Sequence, residues 1–174
     1  MDYGIDTILC VTTGDCSNTE MLMEVLRLKG LKAIPFAYPE FPNTELMQQT
    51  LQTLAETLGT NMEAASRVRD ELQPCRNLAR ELDDLTWKDG LVSGGENHYW
   101  LVSSSDFNRD YHEYYSQLKA LLTECQHRQP YSSDYLRLAY IGVPPVFARD
   151  FFPYFENNGA RIVFNEIQRQ FAMP

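Results

Sequence analysis

Two stretches of the chain repeat one pattern, and that pattern restricts the fold more than any other feature. The run Thr7-Ile8-Leu9-Cys10-Val11 is short, apolar and closed by Thr12-Thr13-Gly14, which suits a buried strand. Ser17-Asn18-Thr19-Glu20 follows with the spacing of a capping box, and Leu22, Val25, Leu26 and Lys29 continue at helical steps to a stop at Gly30. Leu31 to Tyr38 (LKAIPFAY) then reads as a second strand, with Pro35 placing it at an edge or shortening it. Strand, helix, strand in this order is a parallel βαβ unit with a right-handed crossover. Beyond Pro130 the order returns: a strand over Leu136 to Val143, a stiff Pro144-Pro145 turn, an aromatic-rich helix from Arg149 to Asn158 closed by Gly159, and a strand over Ala160 to Phe164.

Between the repeats the pattern is helical. Leu46, Thr50, Leu54 and Leu58 step by four and end at Gly59, and Thr60 with Glu63 offers a second capping box. Met62, Ala65, Val68, Leu72, Cys75, Leu78, Leu82 and Leu85 then form a stripe of threes and fours, interrupted by Pro74, where a kink is expected. A further helix is expected from a cap at Asp110, through Tyr114, Leu118, Leu121 and Leu122, to Gln126. The fold class is therefore α/β, divided into a first βαβ unit (1–42), a helical region (43–130) and the start of a second βαβ lobe (131–174). The polar stretch Pro130 to Asp134 marks the boundary between lobes.

Several function classes are excluded at this level. A net charge of -9 leaves no excess of Lys and Arg to neutralise phosphates, which argues against nucleic acid as a partner. No apolar run approaches the roughly 18 to 20 residues needed to span a bilayer, and the start is not that of a signal peptide, so a cytoplasmic protein is expected. Four cysteines lie far apart without a C-x-x-C pair, so neither a disulfide framework nor a complete zinc site is written in the chain.

The residues that carry chemistry fall at the ends of these elements. Cys16 precedes Ser17 at a helix start, where free amides and the helix dipole favour thiolate over thiol; it is either a metal ligand or nucleophile, or a soft residue filling the corner. His98 lies in a glycine-rich stretch that could line a cleft, His112 and His127 fall on polar positions, and Cys10, Cys75 and Cys125 belong to apolar runs. Gly94, Gly95 and Glu96 open a helix, where backbone amides could take a phosphate or a thioester oxygen; a tight bend with a helix cap explains them equally well. Asn165, Glu166, Gln168 and Arg169 cluster past a strand's carboxyl end, where open α/β sheets bind ligands, although a salt-bridged interface would gather the same groups.

Taken together and in order, TTGDCSNTEML, PFAYP, LVSGGENHYWLVSSSDF, LAYIGVPPV and GARIVFNEIQRQFAMP resemble the 2-hydroxyacyl-CoA dehydratase D-component family, which includes 2-hydroxyglutaryl-CoA dehydratase and benzoyl-CoA reductase subunits. The resemblance implies two Rossmann-like lobes joined by helices, with a 4Fe-4S cluster held between them by three cysteines. It further implies a heterodimer with a second dehydratase subunit, an acyl-CoA substrate and a separate ATP-dependent iron-sulfur activator. The activator's electron turns the thioester into a ketyl radical, from which the hydroxyl leaves. Cys16 matches a cluster ligand of the family, whereas Cys10, Cys75 and Cys125 match none, so this segment is expected to be the middle of a longer subunit and inactive alone. Gly94, Gly95 and Glu96 are expected near the CoA thioester from their position alone. Two other readings stay open: an α/β interaction module without the cluster, and a reductase acting on an aromatic acyl-CoA.

Overall fold

The computed structural model describes residues 4–14, 17–145 and 150–172. They form a mixed α/β structure with seven helices and two parallel sheets of two strands each. The chain packs as two compact units, Met1–Arg69 and Asp70–Pro174. The division falls within a helix, and the polar stretch from Pro130 to Asp134 lies inside the second unit, where the Tyr131 amide donates to the Gly90 carbonyl over 2.9 Å.

The first unit is built on β1 (Thr7–Thr13), α1 (Ser17–Leu28), β2 (Lys32–Ala37) and α2 (Thr44–Thr57). The two strands run parallel, from Thr7 beside Lys32 to Thr13 beside Ala37, with Cys10 beside Pro35 and a register shift between Val11 and Thr13. α1 crosses between them and packs on both. Its start at Ser17 puts that residue in the first turn rather than ahead of it. Its end is the expected one: Gly30 takes φ +91°, its amide bonds the Arg27 carbonyl at 2.9 Å, and the Leu31 amide reaches Leu26 at 3.1 Å. This is the double bond of a glycine-stopped helix, open to glycine because a left-handed residue carries no Cβ penalty there. The buried residues of this unit are few: Cys10, Met23, Ile34, Phe36 and Ala55.

The helix α3 (Met62–Trp87) is continuous, with Pro74 inside it. Its cap is Asn61, not Thr60: the Asn61 side-chain oxygen accepts from the Ala64 amide at 2.9 Å. Asn outranks Thr at a cap, and its carbonyl reaches the third amide of the helix without strain. Burial also departs from the expected stripe. Val68 is exposed, and the buried line is Cys75, Ala79, Leu82, Asp83 and Thr86, with Leu78 and Leu85 only partly covered.

The second unit holds the main core. α4 (Gly94–Ser103), α5 (Tyr111–Cys125) and α7 (Glu166–Ala172) bring Trp100, Leu101, Tyr114, Leu118, Leu122, Cys125 and Ala172 into one core with that line of α3, joined by Val92 from the connection ahead of α4. Tyr114 is wholly inside; its hydroxyl donates to the Trp100 carbonyl at 2.9 Å, so burial of its ring leaves no polar group unpaired. α5 starts at the expected cap, where the Asp110 carboxylate accepts from the amides of His112 and Glu113. Beside this bundle, β3 (Leu136–Tyr140) and β4 (Ala160–Asn165) pair in parallel, joined through α6 (Phe151–Asn157). The expected start of that helix at Arg149 lies outside the described residues. β4 buries Arg161, Ile162 and Val163 in succession, the mark of a strand covered on both faces.

The contact that seats α4 on this sheet is made at Gly94. A Cβ there would lie 2.6 Å from the Ile162 carbonyl oxygen, so the helix start touches the backbone of β4 directly. At Gly95 a Cβ would meet nothing nearer than Phe152 Cβ, at 3.4 Å. We therefore expect Gly94→Ala to cost about 1–3 kcal/mol by overpacking a contact with fixed backbone. Gly95→Ala should be neutral or stabilising, since alanine gains about 1 kcal/mol of helix propensity over glycine. Urea unfolding of the two variants checks this, and equal effects would sink the assignment of the seat to Gly94.

Candidate functional site

The strand β4 ends at Asn165 and α7 begins at Glu166, so strand and helix meet without a loop. That junction sets Asn165, Gln168 and Arg169 within one helical turn of each other at the carboxyl end of β4. The structure brings three of the four residues expected there into one cluster, with α3 and α4 supplying the rest.

Asn97, on the first turns of α4, is at its centre. Its side-chain nitrogen donates to Asp83 Oδ1 and to Thr86 Oγ1, both at 3.1 Å, and its oxygen accepts from Asn165 Nδ2 at 2.8 Å. Thr86 in turn donates to the Leu82 carbonyl at 2.8 Å. Asp83, Thr86, Asn97, Asn165 and Gln168 are all at most 1% exposed. Groups this deep cost free energy unless paired, so the network is what makes their burial tolerable. Asp83 Oδ2 lies 3.3 Å from Arg169 Nη2, and the Arg169 guanidinium also sits over the Phe164 ring. Burial pushes the Asp83 carboxyl up, and the Asn97 hydrogen bond and the Arg169 charge pull against that rise without cancelling it.

Next to this centre, Gln168 Nε2 and His98 Nδ1 are 2.9 Å apart. The amide nitrogen can only donate, which makes Nδ1 the acceptor and leaves the ring proton on Nε2. Burial holds the ring below its ordinary pKa, in keeping with a neutral imidazole stacked near Phe152 at 5.0 Å. Two acceptors in the cluster, Asn165 Oδ1 and Gln168 Oε1, are buried with no protein partner. The arrangement thus offers one half-buried N–H donor and two unspent carbonyl oxygens beside a carboxylate paired with Arg169, and it holds no nucleophile.

The residues of the glycine-rich stretch are also accounted for. Ser93 caps α4, its hydroxyl accepting from the Glu96 amide while the Glu96 carboxylate accepts from the Ser93 amide. The Gly94 amide donates to Glu156 Oε1 at 2.9 Å. Glu96 is further clasped by Arg128, Nη1 to Oε2 at 2.9 Å and Nη2 to Oε1 at 2.8 Å. Burial alone would raise the Glu96 carboxyl, but the Arg128 and Ser93 bonds outweigh it and hold the group below the usual range. The Gly94 amide and the Glu96 carboxylate are thus engaged within the unit.

Cys16 lies outside the described residues. Cys10, Cys75 and Cys125 are buried; Cys75 Sγ points at the Tyr111 carbonyl at 3.4 Å, and burial raises both the Cys75 and Cys125 thiols. Among the described residues no group of three or more His, Cys, Asp or Glu is placed to hold a metal ion. No helix of the described residues is long and apolar enough to cross a membrane.

Reading the sequence missed Asp83, Thr86 and Arg128, whereas Asn97 stood in the Gly94-Gly95-Glu96-Asn97 stretch that it read as a functional loop. Thr86 carried a signal, because Cys75, Ala79, Leu82 and Thr86 step by four, three and four along one face, and a polar residue at the end of such a face is a candidate for a buried network. Arg128 carried none, being 32 residues from Glu96.

The family 2-hydroxyglutaryl-CoA dehydratase, D-component matches the chain over residues 2–174. No curated protein and no solved structure matches it significantly.

Two outcomes follow from the cluster. Asn97→Ala strands buried groups on Asp83 and Asn165, at about 1–3 kcal/mol for each group left unpaired, so a loss of at least about 2 kcal/mol is expected in urea unfolding. A loss below about 1 kcal/mol would mean that the network does not hold these elements. His98 has a lowered folded-state pKa, so its contribution to stability is complete above its ordinary value of 6.5 and is lost as pH falls through the lowered value. Unfolding free energy measured between about pH 7 and about pH 5 should therefore fall less steeply in His98→Ala than in the parent chain. Parallel slopes would rule the assignment out.

Proposed function

Because the chain belongs to the 2-hydroxyglutaryl-CoA dehydratase D-component family, we propose that it serves a dehydratase component that removes water from a 2-hydroxyacyl-CoA by a radical route. The match over residues 2–174 is the observation that carries this reading. In it, the two parallel strand pairs belong to Rossmann-like lobes, the immediate partner is a second dehydratase subunit, and an ATP-dependent iron-sulfur activator supplies the electron. The assembly is cytoplasmic and its substrate is an acyl-CoA. The polar cluster at the end of β4 supports a ligand site in the second unit, since open α/β sheets bind at the carboxyl ends of their strands. Gly94, Gly95 and Glu96 serve that site by shaping the first turn of α4, where Glu156 holds the Gly94 amide and Ser93 and Arg128 hold the Glu96 carboxylate.

A 4Fe-4S cluster belongs to this reading, and the described residues do not by themselves fit one. Their three cysteines are buried thiols, at least two of them with raised pKa, where a ligand must be a thiolate. Cys16 is the ligand this chain contributes, and Cys10, Cys75 and Cys125 are not ligands. Anaerobic reconstitution with iron and sulfide of the complete subunit, with and without Cys16→Ala, tests the assignment. The variant should bind less iron and lose cluster absorbance; full iron content with an unchanged spectrum would remove Cys16 from the ligand set.

A further inference from the structure

At the opposite, amino end of the same strands lies a cavity of about 250 Å3 between the residues that follow α3 and those that lead into β3. Its lining carries Lys88, Arg137 and Arg161 against a single carboxylate, Asp89, in a chain whose net charge is -9. Lys88 is spent, with Nζ 2.8 Å from Asp84 Oδ2. The two guanidiniums are not: no carboxylate of the described residues lies within ion-pair distance of either, Asp89 included.

Arg161 is the deeper of the two, only 6% exposed. Nη2 donates to the carbonyls of Thr86 at 3.3 Å and Val92 at 2.9 Å, and Tyr131 stacks against the guanidinium at 4.0 Å. Nε is buried and has no partner at all. Glu156 acts on this charge only through space, because its own oxygens are taken by the Gly94 amide and the Tyr131 hydroxyl. Arg137 is exposed and spends Nη2 on the Trp87 carbonyl at 2.6 Å. Both arginines thus touch the carbonyl-rich end of α3, a favourable place for cations, yet that task uses one nitrogen of each. Gly90 keeps the approach open: its φ is +67°, and a Cβ there would stand 3.1 Å from Arg161 Nη1. Ser132 and Ser133 complete the lining, the Ser132 hydroxyl oxygen accepting from the Asp134 amide at 3.2 Å.

A buried guanidinium is costly without an opposite charge, and guanidiniums lining one cavity suit a phosphate, whose oxygens accept their forked donors. We propose that this cavity is a phosphate site in which Arg137 and Arg161 supply the charge and Ser132 and Ser133 the neutral donors. The ligand is a phosphate group, free or as the terminal group of a small ester. The site is separate from the cluster at the carboxyl end of β4 and does not depend on the dehydratase reading.

Calorimetric titration of this chain with inorganic phosphate, and in parallel with glycerol 3-phosphate, at matched ionic strength in chloride, tests the site. Binding at about 1 mM or tighter is expected for at least one of them. The tighter ligand identifies the form that the cavity accepts. Arg137→Gln, a change at an exposed side chain that leaves the packing alone, should weaken binding at least tenfold, and Arg161→Lys should do the same by removing the planar fork. Absence of binding by the parent chain would overturn the proposal, as would unchanged affinity in Arg137→Gln; should Arg161→Lys fail to fold, the Arg137 variant decides alone.

Discussion

The side-chain amide of Asn97 is shared by three elements of the second unit, and most of what surrounds it follows from that sharing. Apolar contacts such as those of Leu82, Leu101 and Leu118 draw α3, α4 and α5 together without specifying how each helix is rotated about its axis, since the hydrophobic effect has no direction. A primary amide has two donors and an acceptor at fixed angles. Satisfying Asp83, Thr86 and Asn165 at once leaves α4 a single orientation relative to α3 and to the end of β4. The close approach of Gly94 to the Ile162 carbonyl is then a consequence: a helix locked at that angle brings its first turn onto the strand, and only the smallest residue fits.

Charge is handled in the same local way. A chain with net charge -9 has carboxylates to spare, yet inside the second unit Asp83 is matched to Arg169 and Glu96 to Arg128. Both pairs bridge elements distant in sequence, and both attach to α4 or to its neighbours. The strand β4 consequently has two unlike ends. Its carboxyl end meets a network that is balanced in charge and short of donors, and its amino end meets one that is rich in donors and short of anions.

How far sequence alone reaches is clear from particular residues. Local signals were legible because a few neighbouring atoms decide them. Asp110 caps α5, Gly30 and Gly59 stop their helices, and the two strand-helix-strand patterns give two parallel pairs. Where two good caps compete within one turn, as with Thr60 and Asn61, the better acceptor takes the helix start. The stripe of α3 was misplaced by one position because leucines at 78 and 85 looked more like core than Ala79 or Thr86, which are the residues that tertiary packing buries. The cluster itself was half legible. FNEIQRQ announced polar groups at a strand end, but their partners lie about 70 residues earlier, and no local rule connects them.

The direct junction of β4 with α7 has a consequence for how this region can vary. Connections usually absorb insertions and deletions, because a loop can lengthen without moving what it joins. Here there is no slack. One residue added between Asn165 and Glu166 would turn α7 by about 100° about its axis, carrying Gln168 away from His98 and Arg169 away from Asp83 together. Side chains in this segment can be exchanged one at a time at a graded cost, whereas its length is all or nothing.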